Sequence, residues 1–269
     1  MSAAKLTTKE LEWAFTRIPQ LSASRPDDFR ISSLPGYSNR NFRLYNDRCD
    51  WVLRLPRAQT NRLIDRAAEA HNQALAHQLG VAPDVAWRDD NGATLTATLR
   101  GSRPLSADDL TDDAGLARAL EPLQQLHRSG LQFIGGRGLR DTLRQHYELL
   151  PASQRPRFAA RWAQAERVLS LLDCEQLDAV PSHRDPVLSN LLLNPQRLWL
   201  IDWEYSAMAA PYWDLAILCN EAELDLAQSR RLLNAYCVGG PRMKESTLFD
   251  FRGLLKLLND CWMAALAAG

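Results

Sequence analysis

The chain has 269 residues, 46% hydrophobic and 24% charged, which is the composition of a soluble globular protein with one large domain or two smaller ones. Its 32 basic residues balance 32 acidic ones, so no overall charge points to nucleic acid or to an anionic membrane surface as a partner. Five widely spaced cysteines without a C-x-x-C pair argue against a disulfide framework or a zinc ribbon. No stretch approaches the ~20 apolar residues of a membrane span, and the N-terminus lacks the apolar core of a signal peptide. We therefore expect a cytoplasmic protein.

The first hundred residues combine helices with short strands. Thr7 and Glu10 predict a capping box at the start of the first helix. Three antiparallel strands are predicted where polar and apolar residues alternate, over residues 29–34, 41–46 and 49–56. A helix over residues 61–80, with Leu63 on its apolar face, and a hairpin around residues 90–92 follow. The predicted order is therefore three strands, one helix and two strands.

From residue 106 onward the pattern is mainly helical. Helices are predicted over residues 112–129, 138–150, 156–173, 222–236 and 244–266. The one clear strand signal of this half lies within residues 182–208. The sequence thus predicts an α+β fold, in which residues 1–100 form a small lobe with an antiparallel sheet and residues 101–269 form a larger, mainly helical lobe.

The strand signal is the segment SHRDPVLSNLLLNPQRLWLIDWEYSAM, in which residues 194–197 predict a hairpin turn. With Gln196 at the centre of the turn, Asn190 lies opposite Asp202, and opposed Cβ atoms are roughly 5 Å apart. An amide oxygen and a carboxylate at that separation suit Mg²⁺, which also takes substrate phosphates as ligands. Asp185, in the loop before the hairpin, is placed to accept a proton from an attacking hydroxyl. This pairing of base and metal is typical of phosphoryl transfer. The alternative for Asp185 and Asn190 is that they cap turns.

The residues His183-Arg184-Asp185, Asn190 and Asp202 resemble the catalytic and metal-binding loops of the protein-kinase-like fold. The runs HRDPVLSNLLL and LIDWEYSAMAAPYWDLA resemble the choline/ethanolamine kinase family, which includes thiamine kinases and is related to aminoglycoside phosphotransferases. In the first lobe, PGYSNRNFRL and WVLRLP are similar to that family in order and spacing. The resemblance covers roughly residues 30–215 and implies a two-lobed kinase-like fold with ATP and Mg²⁺ as cofactors.

The resemblance also implies residue roles in the larger lobe. Asp185 would be the catalytic base, and Asn190 and Asp202 would hold Mg²⁺ at the ATP phosphates. His183 would support the loop. A non-haem iron site beginning at His183 and Asp185 is excluded because no histidine follows His183.

In the smaller lobe, Arg54 would take the place of the nucleotide-binding lysine of protein kinases, since the chain has no lysine between residues 10 and 243. Glu69 would be its ion-pair partner. The alternatives are a solvated strand arginine and a surface salt-bridge stripe. The loop between the first two strands would cover the phosphates, with three side chains as donors beside its backbone N–H groups. These are Ser38, Asn39 and Asn41.

The segment from Asp202 to Asp225 holds six acidic residues, no lysine or arginine, and four aromatic residues. Carboxylates interleaved with aromatic rings favour a small cation, because each cation–π contact contributes roughly 0.5–2 kcal/mol. This predicts choline, ethanolamine or thiamine as the acceptor, with three candidate substrate contacts: Glu204, Tyr205 and Trp213. The alternative is that the aromatic residues pack the helical core and Asp214 serves the fold.

Two other functions stay open, an aminoglycoside-type phosphotransferase and a nucleotide-binding pseudokinase without transferase activity.

Pro186 pushes the backbone of Asp185 away from the right-handed helical region. Trp262 is the only aromatic residue after Phe251, which leaves an aromatic cage for a quaternary ammonium group incomplete. We expect His127, at a helix end, to interact with the helix dipole. The oligomeric state is left open.

Overall fold

A computed structural model of the chain describes residues 5–36, 38–61 and 64–267. The first lobe contains helix α1 (Thr8–Arg17), strands β1 (Arg30–Leu34), β2 (Asn39–Tyr45) and β3 (Asp50–Pro56), the single turn α2 (Ala58–Asn61), helix α3 (Arg66–Leu79) and strands β4 (Val85–Arg88) and β5 (Thr94–Ala97). The second lobe begins with strand β6 (Arg103–Pro104) and helices α4 (Asp113–His127), α5 (Leu139–Leu149) and α6 (Arg155–Asp173). Strands β7 (Val180–Ser182), β8 (Leu191–Leu193), β9 (Leu198–Leu200) and β10 (Ala207–Ala209) precede helices α7 (Tyr212–Glu221), α8 (Leu226–Cys237) and α9 (Glu245–Leu266).

The sheet of the first lobe has the strand order β1-β2-β3-β5-β4, and all its pairings are antiparallel. Alternation along β2 and β3 buries Phe42, Leu44 and Leu53 on one face, where they pack with Phe15 of α1. The same alternation leaves Arg54 on the opposite face. The predicted order of three strands, one helix and two strands is therefore confirmed, and the burial pattern positions one arginine toward α3.

The predicted capping box of α1 is present, since the Thr7 hydroxyl accepts from the Glu10 N–H and the Glu10 carboxylate accepts from the Thr7 N–H at 2.8 Å. The prediction of one helix over residues 61–80 was wrong at its start. The Asp65 side chain accepts from the Ala68 N–H at 3.0 Å and thereby begins α3 as a separate helix. Leu63 lies outside the described residues.

The core of the second lobe is formed by the apolar faces of its helices and by the β8–β9 hairpin. Four predicted helices are confirmed to within two residues at each end, and the fifth begins later, at Leu226, because the Asp225 side chain caps it. Helix α7 was not predicted from the sequence. Seven of its ten residues are buried, so it has no polar face and no amphipathic period.

The β8–β9 hairpin is confirmed, but the predicted register was wrong by one residue. Leu191 pairs with Leu200, so the centre of the turn lies between Pro195 and Gln196. Asn190 consequently lies opposite Ile201, whose N–H donates to the Asn190 carbonyl oxygen at 3.0 Å. Strands β6, β7 and β10 were also missed, because two or three residues are too few to show alternation.

The α+β fold class is confirmed, with the antiparallel sheet in the first lobe and most helices in the second. The boundary near residue 100 stays a prediction. Among the residues that the structure describes, no helix is both long enough and apolar enough to cross a membrane.

Candidate active site

Arg54 lies between the two lobes, on the face of β3 that points away from the core of the first lobe. Its Nη2 pairs with Glu69 and donates to the Gly92 carbonyl oxygen at 3.1 Å. Its Nη1 donates to Asp202 Oδ1 at 3.0 Å. Burial alone would lower the pKa of Arg54, but the carboxylates of Glu69 and Asp202 outweigh burial and raise it. The predicted arginine therefore connects α3 to the loop that carries Asp202.

Glu69 is fully buried and is surrounded by arginines. It accepts from Arg66 Nη1 at 2.6 Å, and Arg88 Nη1 lies 3.8 Å away. Burial would raise the pKa of Glu69, but Arg54 and Arg66 lower it. Because Glu69 is buried, it is not part of a salt-bridge stripe on the surface. The predicted Arg54–Glu69 pair belongs to a larger network of ion pairs that includes Arg66 and Arg88. Sequence reasoning missed Arg66, because nothing in IDRAAE distinguishes it from a surface residue.

Ser38 and Asn39, two of the predicted phosphate-loop donors, contact the second lobe through Glu204. Asn39 is buried, and its Nδ2 donates to Glu204 Oε2 at 2.9 Å. Burial and then the charge of Asp202 raise the pKa of Glu204 to about 7, while hydrogen bonds from Ser38 and Asn39 oppose the rise. Glu204, predicted as a substrate contact, is instead buried beneath the loop and is used to dock it.

Asn41, the third predicted donor, holds the loop in its turn. Its Nδ2 donates to the Pro35 carbonyl oxygen at 3.1 Å. A Cβ on Gly36 would lie 2.7 Å from both the Asn39 carbonyl oxygen and Asn41 Nδ2, so this approach requires glycine. Tyr37 lies outside the described residues.

Asp185 and Asn190 contact each other directly. Asn190 Nδ2 donates to Asp185 Oδ2 at 3.1 Å and to the Asp185 carbonyl oxygen at 3.0 Å. The contact fixes the orientation of the half-buried carboxylate although Pro186 follows it. Burial, and after it the charges of Asp202 and Glu204, raise the pKa of Asp185 well above its ordinary value. The structure thus joins the predicted base to one predicted metal ligand.

His183 supports the catalytic loop, in agreement with its predicted role. The ring is fully buried and packs edge-on against Trp203, with ring centroids 4.6 Å apart. Nε2 lies 3.0 Å from the Ile201 carbonyl oxygen, so it must donate, and Nδ1 is left to accept from the Asp185 N–H at 3.3 Å. Burial lowers the pKa of His183, which matches this neutral form.

Asp214, at the start of α7, holds the backbone of the same loop. This fully buried carboxylate accepts from the N–H groups of His183 at 2.9 Å and Arg184 at 2.7 Å. His127 Nε2 lies 2.9 Å from Asp214, and its Nδ1 lies 2.7 Å from the Tyr236 hydroxyl. His127 lies in the last turn of α4, as predicted, and its imidazole is in addition buried among these partners. A lone aspartate in the apolar run YWDLAIL was the sequence signal for this clamp.

Two residues of the site loops have left-handed backbones, Arg184 and Asp202, each with φ of 65°. Neither is glycine or asparagine, so each conformation costs of order 1 kcal/mol or more. Hydrogen bonds from other segments hold both backbones. The N–H of Ile201, just before Asp202, donates to the Asn190 carbonyl oxygen, and the N–H of Arg184 donates to Asp214. Strain at both loops is typical of functional sites.

The side-chain oxygens near Asp202 are of the kind that Mg²⁺ binds. The Asn190 amide nitrogen is used by Asp185, and the amide oxygen accepts no hydrogen bond from the described residues. Among the residues that the structure describes, no three carboxylate, histidine or cysteine groups lie close enough together to bind a metal by themselves. Mg²⁺ needs only one or two carboxylates, because water and phosphate complete its shell. An amide oxygen and the Asp202 carboxylate therefore fit this ion.

The predicted substrate contacts differ in their access to Asp185. The Tyr205 ring is half-buried, and burial, followed by the charges of Glu204 and Asp185, raises the pKa of its hydroxyl. Trp213 is buried, and its ring face is covered by the Arg184 guanidinium at 3.9 Å from the centroid. That face is not open to a substrate cation.

Glu221, at the end of α7, was missed as a candidate contact. Its carboxylate is exposed, and its charge raises the pKa of Asp185 along with those of nearer groups. Its sequence signal was its place in the acidic segment. Glu221 thus adds a carboxylate to those whose charges act on Asp185.

The sequence matches the family described as the phosphotransferase enzyme family (APH) over residues 31–246. Protein LicA from Haemophilus influenzae is 32% identical over 216 residues, which are 77% of this chain and 62% of LicA. The chain therefore spans less than two thirds of the length of this relative.

Solved structures share the fold over nearly the whole chain. A choline/ethanolamine kinase family protein from Mesorhizobium loti has a TM-score of 0.79 and 28% identity, with 98% of this chain and 87% of that chain covered. The choline kinase LicA from Streptococcus pneumoniae has a TM-score of 0.83 at 20% identity, covering 96% of this chain and 89% of that chain. The kinase-like fold predicted from the sequence is thereby confirmed.

Proposed function

Since the chain belongs to the phosphotransferase enzyme family, we propose that this kinase transfers the γ-phosphoryl group of ATP to the hydroxyl of a small cationic alcohol, such as choline, ethanolamine or thiamine. The single observation that carries the proposal is the contact between Asp185 and Asn190 within reach of the charge of Asp202. A carboxylate held by an amide, beside a second carboxylate that contacts a buried arginine, is the arrangement that phosphoryl transfer needs.

Asp185 acts as the base in this proposal. The Asn190 amide directs the carboxylate, and Asp214 fixes the loop backbone just before it. The Asp185 oxygen that does not face Asn190 accepts the proton of the acceptor hydroxyl as that hydroxyl attacks the γ-phosphorus. The bond between the γ-phosphorus and the bridging oxygen breaks, and ADP leaves with the electron pair.

Asn190 and Asp202 would hold Mg²⁺ through their side-chain oxygens. When bound, the ion neutralises charge on the β- and γ-phosphate oxygens. Arg54 contacts Asp202, one of the two proposed Mg²⁺ ligands, and Glu69 holds the guanidinium in place. Arg54 therefore orients the nucleotide phosphates, while Ser38, Asn39 and the backbone of their loop cover them.

The charge around Asp185 supports a cationic acceptor. The carboxylates of Asp202, Glu204, Glu221 and Asp214 all contribute to the field at this residue. Glu221 is exposed and Tyr205 presents a half-buried ring, so these two are the groups that a cation would contact. A cation–π contact at such a site contributes roughly 0.5–2 kcal/mol. A neutral or anionic alcohol would gain nothing from either group.

The test is ADP release from Mg·ATP by the purified protein, with choline, ethanolamine, thiamine and an aminoglycoside compared in parallel. We expect turnover with one of the three small cationic alcohols and loss of about 10³-fold or more in the Asp185→Asn variant. Asp178→Asn is the matched control, because Asp178 is an exposed carboxylate of the preceding loop. Turnover with the aminoglycoside alone would overturn the acceptor assignment. Undiminished turnover in Asp185→Asn would overturn the role of the base.

A further inference from the structure

Asn72 lies on α3 three residues after Glu69, and its side chain is fully buried. The amide nitrogen donates to the Ser206 carbonyl oxygen at 2.9 Å and lies 3.1 Å from the Ile134 carbonyl oxygen and 3.2 Å from Ser206 Oγ. The amide oxygen accepts from the Ile134 N–H at 2.9 Å. Every hydrogen-bonding group of this side chain therefore contacts the second lobe.

The two segments that Asn72 contacts both lead into the active site. Ser206 follows Asp202 by four residues, and its hydroxyl donates to the Trp203 carbonyl oxygen at 2.7 Å, which closes the loop after Asp202. Ile134 precedes two glycines that lie against α3 and the catalytic loop, since a Cβ on Gly136 would lie 2.8 Å from Arg184 Nη1. A Cβ on Gly135 would lie 2.5 Å from Ala68 Cβ on α3. The buried amide of Asn72 thus joins α3 to the loop of Asp202 and to the segment at Ile134, which lies beside the catalytic loop.

Among the described residues, the other polar contacts between α3 or β3 and the Asp202 loop are ionic. Arg54 Nη1 contacts Asp202 at 3.0 Å, and Arg66 Nη1 lies 3.6 Å from Glu204. These charged groups also face the proposed phosphate and Mg²⁺ positions, so nucleotide binding would redistribute their partners. The hydrogen bonds of Asn72 are neutral and lie outside that redistribution. They keep α3 in place while the ionic contacts change.

We propose that Asn72 is a positioning residue that holds the Arg54–Glu69 pair in a constant position relative to Asp202, so that the nucleotide site is assembled before ATP binds. This inference rests on the proposed function, in which Arg54 and Glu69 orient the phosphates. It makes α3 a fixed part of the site instead of an element that moves to activate it. On the acceptor side of the site, Glu221 lies on α7, outside the two segments that Asn72 contacts.

Steady-state kinetics of Asn72→Ala, with ATP and the acceptor varied separately, test this inference. We expect KM for ATP to rise and kcat to fall, each by about tenfold, because a displacement of about 1 Å at a reacting group has a large effect on rate. KM for the acceptor should stay within about twofold of the wild-type value. Ser206→Ala removes one of the four Asn72 contacts together with the hydroxyl's own bond to the Trp203 carbonyl oxygen. It should shift the same parameters in the same direction, and it serves if Asn72→Ala does not fold. Gln124→Ala is the matched control, since its amide joins α4 to carbonyl oxygens in the last turn of α8, at 2.9 and 3.3 Å, away from the site.

A double-mutant cycle with Glu69→Gln separates positioning from general loss of stability. If Asn72 acts through Glu69, the double variant should be at most about threefold worse in kcat/KM for ATP than the worse single variant. Multiplicative losses, or equal changes in KM for ATP and for the acceptor, would overturn the inference. The proposed function has a separate failure, because Glu69→Gln with wild-type kinetics for ATP would reject the role of the ion pair itself.

Discussion

Replacement of Asp214 by asparagine should damage both stability and catalysis, because this carboxylate accepts three hydrogen bonds in a fully buried position. Loss of the charge should weaken each bond by about 1 kcal/mol, and a donor left facing the new amide NH₂ group should cost a further 1–3 kcal/mol. We expect the free energy of unfolding to fall by about 4–6 kcal/mol, which is a large part of the 5–15 kcal/mol typical of a folded domain. Two of the donors are the N–H groups of His183 and Arg184, so Asp185 should move as well and kcat should fall by about 10²-fold.

The assay for Asp214→Asn combines urea unfolding with steady-state kinetics at a temperature where the variant is folded. Asp109→Asn is the control, because Asp109 also accepts several hydrogen bonds, from Arg103 and Ser106, but does so at the surface of the second lobe. It should cost about 1 kcal/mol or less and leave kcat unchanged. A folded Asp214→Asn protein with wild-type kcat would refute the reasoning, since the loop would then keep its position without the carboxylate.

Three further outcomes are expected. Arg54→Lys should raise KM for ATP by about tenfold in initial-rate assays, because an ammonium group cannot contact Glu69 and Asp202 through separate fixed nitrogens; an unchanged KM would reject the bridging role. Gly136→Ala should lower the free energy of unfolding by about 1–3 kcal/mol more than Gly101→Ala, since both glycines have positive φ but a Cβ at Gly136 would meet a neighbouring side chain and one at Gly101 meets nothing within 4 Å; equal thermal shifts would contradict this. Burial lowers the pKa of His146, so the unfolded chain takes up its proton first as pH falls below about 6.5. The free energy of unfolding of the wild type relative to that of His146→Gln should therefore decline between pH 7.5 and 5.5. A difference between the two urea midpoints that does not change with pH would reject this.

The sequence could predict features that depend on local chemistry. The capping box at Thr7 and the hairpin after Asn190 were both predicted, because each is determined by residues a few positions apart. The choice of Arg54 and Glu69 came from the resemblance and from the absence of lysine between residues 10 and 243. The structure places these two side chains in contact.

Features that depend on contacts between distant segments could not be predicted. Helix α7 has no amphipathic period, because seven of its ten residues are buried in the second lobe. Asn72 and His127 look like ordinary polar residues of amphipathic helices until residues more than 60 positions away surround them. Trp213 was a reasonable contact for a cation, but the cation that covers it is Arg184 of the same chain. The register error at Asn190 arose because a turn of four residues has its centre between two residues and not on one.

The most direct test of the proposed chemistry is identification of the product by phosphorus NMR after incubation of the protein with Mg·ATP and choline, ethanolamine or thiamine. The proposal predicts a phosphate monoester of one of these alcohols, formed in step with ADP, with no ester formed by Asp202→Ala although that variant stays folded. Release of inorganic phosphate without any ester, or an ester formed equally well by Asp202→Ala, would contradict it.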